Sequence, residues 1–244
     1  MCTVSWAPVA GGYSLHFNRD ESRTRTPALP PAALERDGVR FLAPIDADAG
    51  GTWIGVNQFG VTVSLLNRYH DTPVEPGGPR TSRGLLVLEL LPARSALDVV
   101  AQLGDRALGE FQPFTVCAAD RAGRVHLADW TGAELRAGST DRPGMVRTSS
   151  GHDQAAAERL RAITLAGLAA DPAAITPGLL GRFHRSHLPE RGPFSVCMHR
   201  PEAETRSLTT ILVAGGVAGL EYLPGAPCEA AAPSQHRLSL VAGS

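Results

Sequence analysis

The sequence predicts an α+β fold in which two antiparallel sheets are stacked and helices cover their outer faces. Strand-like segments occur in consecutive blocks, and helical segments separate these blocks instead of alternating with single strands, as they would in a doubly wound sheet. The chain has 244 residues, of which 43% are hydrophobic and 19% charged, so it can bury one large core. We therefore expect a single domain that spans residues 1–244.

The first block has the pattern of a meander of β-hairpins. Short apolar runs bounded by turn residues predict strands over residues 3–6, 13–17, 39–42, 53–56 and 61–66. The last two are joined by Asn57-Gln58-Phe59-Gly60, a short hairpin connection. The block ends in residues 69–80, which are rich in proline and glycine.

Helices and strands continue in blocks through the rest of the chain. Ser82 can cap a helix in which leucines from Leu85 to Leu91 recur at helical spacing. The other predicted elements are helices over residues 96–103, 154–168 and 178–187, and strands over 114–118, 125–130, 194–198, 208–213, 219–222 and 238–241.

Composition argues against two classes of partner. The formal net charge is -1 without a basic stripe, so we do not expect the protein to bind nucleic acid. No stretch approaches the roughly 20 apolar residues of a membrane span, and the first seventeen residues lack the regions of a secretory signal. We expect a cytoplasmic protein without a membrane span.

Cys2 is the strongest candidate for chemistry, because it directly follows Met1. Removal of Met1 would give Cys2 a free α-amine beside its own sulfur, so that one residue carries a nucleophile and a base of pKa near 8. The other cysteines, Cys117, Cys197 and Cys228, show no such feature. Cys117 and Cys197 lie in apolar runs, where a thiol is most often a small buried hydrophobe.

No metal site is expected from the sequence. The cysteines show no paired spacing such as C-x-x-C. His184 and His187 are one helical turn apart, but no third ligand is placed beside them, which favours a solvated helix face.

The tetrad Asn18-Arg19-Asp20-Glu21 ends an extended segment. Alternation along a strand puts Asn18 and Asp20 on one face, and Arg19 and Glu21 on the other. We predict that Asp20 faces Cys2 and orients its amine, and that Arg19 points away or pairs with Glu21. Arg19 and Glu21 would then form a structural ion pair or a substrate clamp at a pocket rim.

Together with the initial Met-Cys, the tetrad and five later fragments resemble the NRDE family, also called the transport and Golgi organisation 2 family. The resemblance covers residues 2 to about 214. The later fragments are Gly50 to Gly55, Asn57 to Gly60, Leu66-Asn67, Ser82-Arg83-Gly84 and Thr205 to Thr209. The family is similar to the cysteine branch of the N-terminal-nucleophile hydrolases, which includes penicillin and bile-salt acylases. The resemblance implies a four-layer αββα sandwich of two antiparallel sheets with outer helices.

The resemblance also implies roles for several residues. Cys2 would be the nucleophile, Asp20 the orienting carboxylate and Asn67 a donor to the oxyanion. Ser149 stands where relatives have an asparagine, and its shorter hydroxyl puts efficient catalysis in doubt. The acylases also have an arginine three residues before the aspartate, and here that position is Phe17, so the role of that arginine cannot be carried over directly. Either Arg19 reaches the site by another path or a different arginine does.

Other residues are expected to bind substrate. Trp53 follows two glycines and can be half core and half pocket wall. Arg206 can clamp a carboxylate or phosphate, and Asn18 and Arg19 stand at the presumed pocket.

The resemblance leaves two functions open. The first is a cysteine amidohydrolase that cleaves a non-peptide C–N amide or acyl compound through a thioester on Cys2, without metal or organic cofactor. The second is a non-catalytic protein that handles a hydrophobic ligand such as haem, a lipid or acyl-coenzyme A. Cys2, His16 and His70 are the candidate axial ligands for haem, and retention of Met1 would favour this second function.

Overall fold

The computed structural model of the chain describes residues 2–69, 81–169, 171, 175–229 and 232–241. All strand pairs in these residues are antiparallel, and the strands form two sheets. The six-stranded sheet contains β1 (Cys2–Val9), β2 (Gly12–Ser22), β10 (Met145–Ser149), β11 (Ala203–Ala214), β12 (Val217–Pro224) and β13 (Ser234–Ser239). Its strand order is β10-β1-β2-β11-β12-β13.

The second sheet has seven strands that follow one another in chain order. They are β3 (Leu29–Arg36), β4 (Val39–Ile45), β5 (Ile54–Asn57), β6 (Thr62–Asn67), β7 (Phe114–Ala119), β8 (Val125–Trp130) and β9 (Leu135–Thr140). This meander is joined by short turns between most strands, as the hairpin pattern of the sequence predicts.

Helices cover the outer face of each sheet. Helices α1 (Arg83–Leu90) and α2 (Ala96–Gly104) pack on the seven-stranded sheet, and α3 (Gln154–Leu168) and α4 (Pro177–His184) pack on the six-stranded sheet. Each helix begins after a side-chain cap, namely Ser82, Ser95, Asp153 and Thr176. The predicted four-layer sandwich is confirmed, and the predicted bounds of α3 agree with the structure.

The main core lies between the two sheets. In β2 the alternate residues Tyr13, Leu15 and Phe17 are completely buried and face the other sheet, where they pack with Leu42 and Ile54. The intervening residues of β2 face α4 and the segment that follows it. Both faces of β2 are thus covered, so its whole length from Tyr13 to Asp20 is buried.

The predicted strand over residues 194–198 is wrong. The carbonyls of Ser195 and Val196 accept hydrogen bonds from the side chains of Arg161 (2.8 Å) and Asn18 (2.9 Å), and the Ser195 hydroxyl donates to Cys197 O at 2.7 Å. These groups therefore bond to side chains and to local turns instead of a neighbouring strand. The apolar composition of the segment reflects burial without strand pairing.

The sequence also failed to predict three strands and one helix end. The strands β3 and β9 are mostly exposed edge strands without an apolar run, and β10 is only five residues long. The last helix ends at His184 and not at residue 187. Among the described residues, no helix combines the length and apolar character that crossing a membrane requires.

Candidate active site

A cavity of about 350 Å³ opens at the first residue of β1. Cys2 is half-buried and lines it together with residues from β2, β6, the loop before β5 and the start of α1. Most of the lining residues are polar or charged, and Trp53 and Leu65 are the large apolar side chains among them. Of the predicted site residues, Cys2, Arg19, Asp20, Trp53 and Asn67 line this cavity.

The register of β1 and β2 decides which residues accompany the Cys2 sulfur. Cys2 lies directly opposite Arg19, and side chains directly opposite in an antiparallel pair point to the same face. Arg19 therefore shares the inner face with Cys2, and the prediction that Arg19 points away from the pocket is wrong. Because alternate residues share a face, Arg19 also lies on the same face as Phe17, one step further along β2.

Arg19 is held by two carboxylates and one ring. Its Nη2 donates to Asp46 Oδ2 at 2.7 Å and lies 3.5 Å from Glu21 Oε2, so the predicted pairing with Glu21 is present. The guanidinium carbon lies 4.5 Å from the centre of the Trp53 ring, a cation–π contact. Although it is charged, the residue is only 6% exposed, so these contacts fix it as part of the cavity wall.

Asp46 is a site residue that sequence reasoning missed. Its Oδ1 accepts main-chain hydrogen bonds from Asp48 and Ala49, and Arg25 donates to both carboxylate oxygens at 3.0 Å. Burial raises the pKa of Asp46, but the hydrogen bonds from Arg25 and Ala49 and the charge of Arg19 outweigh it and hold the pKa below its ordinary value. The only sequence signal for this residue is its acidic and glycine-rich loop.

Asp20 also lines the cavity, but its carboxylate is held on the other side of β2. Its Oδ1 accepts a hydrogen bond from Thr205 at 2.6 Å, and its Oδ2 lies 3.7 Å from Nη2 of Arg161, a completely buried arginine of α3. Burial raises the pKa of Asp20, while Arg161 and the Thr205 hydroxyl act in the opposite direction. The predicted arrangement with Asp20 and Asn18 on the sulfur's face is thus reversed, because the β1–β2 register puts odd-numbered β2 residues inside.

Asn18 also belongs to the outer face. It is completely buried, and its amide donates to His184 O and Val196 O, both at 2.9 Å. Asn18 does not line the cavity, so the expectation that it binds substrate does not fit its position. It connects β2 to the end of α4 and to the segment before β11.

Ser149 contacts the main chain of Cys2. The two residues face each other in the β1–β10 pair, and the Cys2 N–H donates to Ser149 Oγ at 2.9 Å. Burial raises the pKa of the Cys2 thiol, as does the Asp20 charge, whereas the Asp20 main-chain N–H and the Arg19 charge lower it. The net effect is a raised pKa, so the thiol needs a neighbouring base to become a nucleophile.

The first turn of α1 forms the opposite side of the cavity. Gly51 and Gly84 bring this turn against the segment before Trp53, where Thr52 N donates to Gly84 O at 3.0 Å. A Cβ on Gly51 would lie 2.4 Å from the Gly84 carbonyl carbon, so only glycine permits this approach. The contact places Ser82 and Arg83 at the cavity.

Two further polar side chains lie at this side of the cavity. Asn67 ends β6, lines the cavity, and donates from Nδ2 to Tyr69 Oη at 2.9 Å. Arg83 donates to Pro113 O at 2.8 Å, and among the described residues it has no carboxylate partner. Burial lowers the pKa of Arg83, while the charges of Tyr69 and Cys2 act in the opposite direction.

The structure does not bring the remaining candidates to Cys2. Arg206 pairs with Glu204 at 3.0 Å and lines a neighbouring cavity beside Tyr222. His16 lies on the outer face of β2, stacked on the His184 ring, and is therefore not a haem ligand in the Cys2 cavity. His70 and Met1 lie outside the described residues.

Solved structures with the same fold are N-terminal-nucleophile hydrolases. A mutant of conjugated bile acid hydrolase from Clostridium perfringens aligns with a TM-score of 0.62 and 14% identity, and the alignment covers 97% of this chain and 92% of that chain. Penicillin V acylase from Agrobacterium tumefaciens gives 0.58 and 11%, with 98% and 86% covered. The Caenorhabditis elegans ortholog of N-acylethanolamine-hydrolyzing acid amidase gives 0.58 and 12%, with 86% and 92% covered.

The TM-scores establish a shared fold, and the low identities leave the reaction of this chain open. A comparison with curated protein sequences finds no match. The profile of the family described as Transport and Golgi organisation 2 matches residues 1–153, which is more than half of the 244 residues. This stretch contains Cys2, the tetrad, Trp53 and Asn67. The chain therefore belongs to the Transport and Golgi organisation 2 family.

Proposed function

We propose that the protein is a cysteine amidohydrolase in which Cys2 is the nucleophile after removal of Met1. The observation that carries this proposal is the position of Cys2, at the start of β1 and in the wall of a polar cavity, within the fold of N-terminal-nucleophile hydrolases. The reaction is hydrolysis of a non-peptide C–N amide.

The α-amine of Cys2 acts as the base. Because burial raises the pKa of the thiol, spontaneous thiolate is scarce at neutral pH, whereas an α-amine has an ordinary pKa of about 7.7–8.0. The amine takes the thiol proton as the sulfur attacks the acyl carbon. It then protonates the leaving nitrogen as the C–N bond breaks, and a thioester remains on Cys2. Water hydrolyses the thioester and releases the acid.

Three neighbours assist this sequence. Ser149 Oγ accepts a hydrogen bond from the Cys2 nitrogen now, and it can hold the freed amine in the same place. Asp20 supplies the negative charge that favours the ammonium form, and Asn67 supplies the amide that donates to the oxyanion. A donor of this kind contributes about 2.7–4 kcal/mol in comparable oxyanion holes.

Arg83 suggests the substrate class. It is a half-buried cation at the cavity, and the described residues give it no carboxylate partner, whereas Arg19 and Arg25 are already paired with Asp46. A substrate carboxylate would supply that partner in a bidentate contact. The substrate we propose is therefore an amide that also carries an anionic group.

The alternative is the handling of a hydrophobic ligand such as haem, a lipid or acyl-coenzyme A. Membership of the Transport and Golgi organisation 2 family is consistent with it. The lining of the Cys2 cavity is mainly charged and polar, which favours a polar amide over a large apolar ligand. The two functions differ in their need for a free amine on Cys2.

Intact-mass measurement of the purified protein tests this need first. The enzyme requires a mass lower by one methionine residue, and iodoacetamide should modify Cys2 before the other three cysteines. Met1 retained on the chain, together with faster alkylation of Cys117 or Cys228, would contradict the proposal.

Turnover is then measured on fluorogenic N-acyl amides with and without a carboxylate on the acyl chain. Cys2→Ala should abolish turnover, and Cys117→Ala should retain it because the Cys117 thiol is completely buried in β7. Arg83→Gln should raise KM at least about tenfold for the anionic substrates and much less for neutral ones. The exposed Arg124→Gln serves as the matched control.

A further inference from the structure

Four side chains with metal-binding atoms meet where two connections of the six-stranded sheet come together. His187, Cys197 and His199 lie in the connection between α4 and β11, and Cys228 lies in the connection between β12 and β13. Their Nε2, Nδ1 or Sγ atoms all lie within 4.8 Å of one another. The sequence gives no hint of this group, because its spacing matches no paired metal motif and Cys228 is distant along the chain.

Main-chain hydrogen bonds position two of these residues. Cys197 N donates to Ser186 O at 3.0 Å, which sets Cys197 beside His187, and His199 N donates to Gly192 O at 3.2 Å.

The prediction that His184 and His187 form one solvated helix face is wrong. His184 is completely buried with its Nε2 at 2.8 Å from Ser5 Oγ, whereas His187 lies beyond the helix end.

The three distances between the His199 ligand atom and the other three agree with a tetrahedral zinc site. Zn–N bonds of about 2.05 Å and Zn–S bonds of about 2.3 Å place two nitrogens about 3.3 Å apart, and a nitrogen and a sulfur about 3.6 Å apart. Nε2 of His199 lies 3.3 Å from Nε2 of His187, 3.5 Å from Sγ of Cys197 and 3.4 Å from Sγ of Cys228.

We propose that His187, Cys197, His199 and Cys228 bind one Zn²⁺ ion. Two thiolates and two imidazoles form a closed set of four ligands, which is the composition of structural zinc sites and leaves no position for a substrate. Two thiolates also neutralise the charge of the ion, so the partly buried site carries no net charge.

Zinc binding would change the protonation of this group. Zinc coordinates neutral imidazole and cysteine thiolate, so binding would release the thiol protons of Cys197 and Cys228. Arg191 Nη2 lies 3.3 Å from His199 Nδ1, and this exposed arginine must turn away, since Nδ1 of a zinc-bound His199 carries a proton.

The site braces the layer behind Cys2. Between His187 and His199 lie the Ser195 and Val196 carbonyls, which hold the side chains of Arg161 and Asn18. The hydroxyl of Thr205 donates to Asp20 and accepts a hydrogen bond from Met198 N at 2.8 Å. The Thr205 main-chain N–H donates in turn to Met198 O at 2.9 Å. The ion would thus fix the segment that positions the outer-face residues of β2.

The metal content of untagged protein, purified in reductant, tests the site. About one zinc per chain is expected in the wild type, and well below half in Cys228→Ser, whose altered side chain is exposed. The exposed His152→Gln is the matched control and should retain the metal. Substitution with Co²⁺ should give the absorption of a tetrahedral thiolate complex in the wild type and the control only.

Differential alkylation of the wild type gives a measurement that does not depend on any variant. Zinc should protect Cys197 and Cys228 from iodoacetamide, and a strong chelator should expose both and lower the melting temperature. Reduced wild-type protein that retains no zinc and takes up no cobalt would overturn the proposal. A disulfide between Cys197 and Cys228 that persists in reductant would overturn it as well.

Discussion

Replacement of Arg161 by methionine tests how the buried layer behind Cys2 is held together. Arg161 donates to Thr3 Oγ1 and Ser195 O and lies 3.7 Å from Asp20 Oδ2, and both charged side chains are completely buried. Methionine reproduces the aliphatic part of the side chain and removes the charged guanidinium with its hydrogen bonds. The Asp20 carboxyl then stays buried without this guanidinium, and the Ser195 carbonyl loses its donor.

The expected loss at neutral pH is large. Removing one partner of a buried ion pair costs about 3–5 kcal/mol, which corresponds to a fall in melting temperature of about 6–20 °C for a chain of this size. The exposed Arg159→Met on the same helix should change stability by at most about 0.5 kcal/mol.

The pH dependence identifies the carboxyl as the cause. The pKa of Asp20 is raised in the folded protein, so its contribution to stability is present below the unfolded value and is lost as pH rises through the folded value. Loss of Arg161 raises this pKa further, and each unit corresponds to about 1.36 kcal/mol. The destabilisation caused by Arg161→Met should therefore be smaller at pH 5 than at pH 8, by at least about 1 kcal/mol.

The effect is measured by urea unfolding at both pH values. The proteins compared are the wild type, Asp20→Asn, Arg161→Met and the double variant Asp20→Asn/Arg161→Met. A coupling energy of at least about 1 kcal/mol is expected at pH 8. An equal loss at both pH values, with no coupling to Asp20→Asn, would refute the reasoning and reduce Arg161 to a packing residue.

Three further outcomes are expected. Gly51→Ala should cost about 1–3 kcal/mol because its Cβ meets the Gly84 backbone, whereas Gly167→Ala, in open space on α3, should stabilise by about 0.5–1 kcal/mol in the same melting assay. Burial lowers the pKa of His16 from 6.5 to about 3. The contribution of its neutral form to folding stability is therefore complete above pH 6.5 and is lost as the pH falls from there towards 3. His16→Asn should therefore reduce the acid slope of stability by about 1.4 kcal/mol per pH unit between pH 6 and 4, as urea titrations would show. Ser149→Ala should lower kcat about tenfold at an unchanged melting temperature, since it removes the partner of the Cys2 nitrogen; unchanged turnover would remove Ser149 from the mechanism.

The parts of the fold that depend on local sequence were predictable. Helix α3 has a capping aspartate and helical spacing, and its predicted bounds agree with the structure. The strands with apolar runs were also found, whereas the exposed edge strands β3 and β9 carry no such run. Residues 194–198 were misassigned because apolar composition does not distinguish a buried loop from a buried strand.

The site was predictable only where the position of a residue in the sequence fixes its chemistry. Cys2 was found because it follows Met1. The face of the tetrad was not, because alternation gives two sets of side chains and only the pairing with β1 decides which set meets the sulfur. Asp46 and Arg161 were missed because each acts through a partner distant in sequence, and no local pattern marks such a contact.

Both faces of β2 carry side chains with specific partners, and this restricts which insertions and deletions the strand can tolerate. Arg19 belongs to the cavity and Asp20 to the helix side, and both positions follow from the pairing that begins at the turn between β1 and β2. Inserting or deleting one residue in β2 between this turn and Asn18 would exchange the faces, sending a carboxylate into the cavity and a guanidinium towards Arg161. Two residues would restore the alternation. Insertions and deletions tolerated there should therefore come in even numbers, unless a β-bulge absorbs the odd residue.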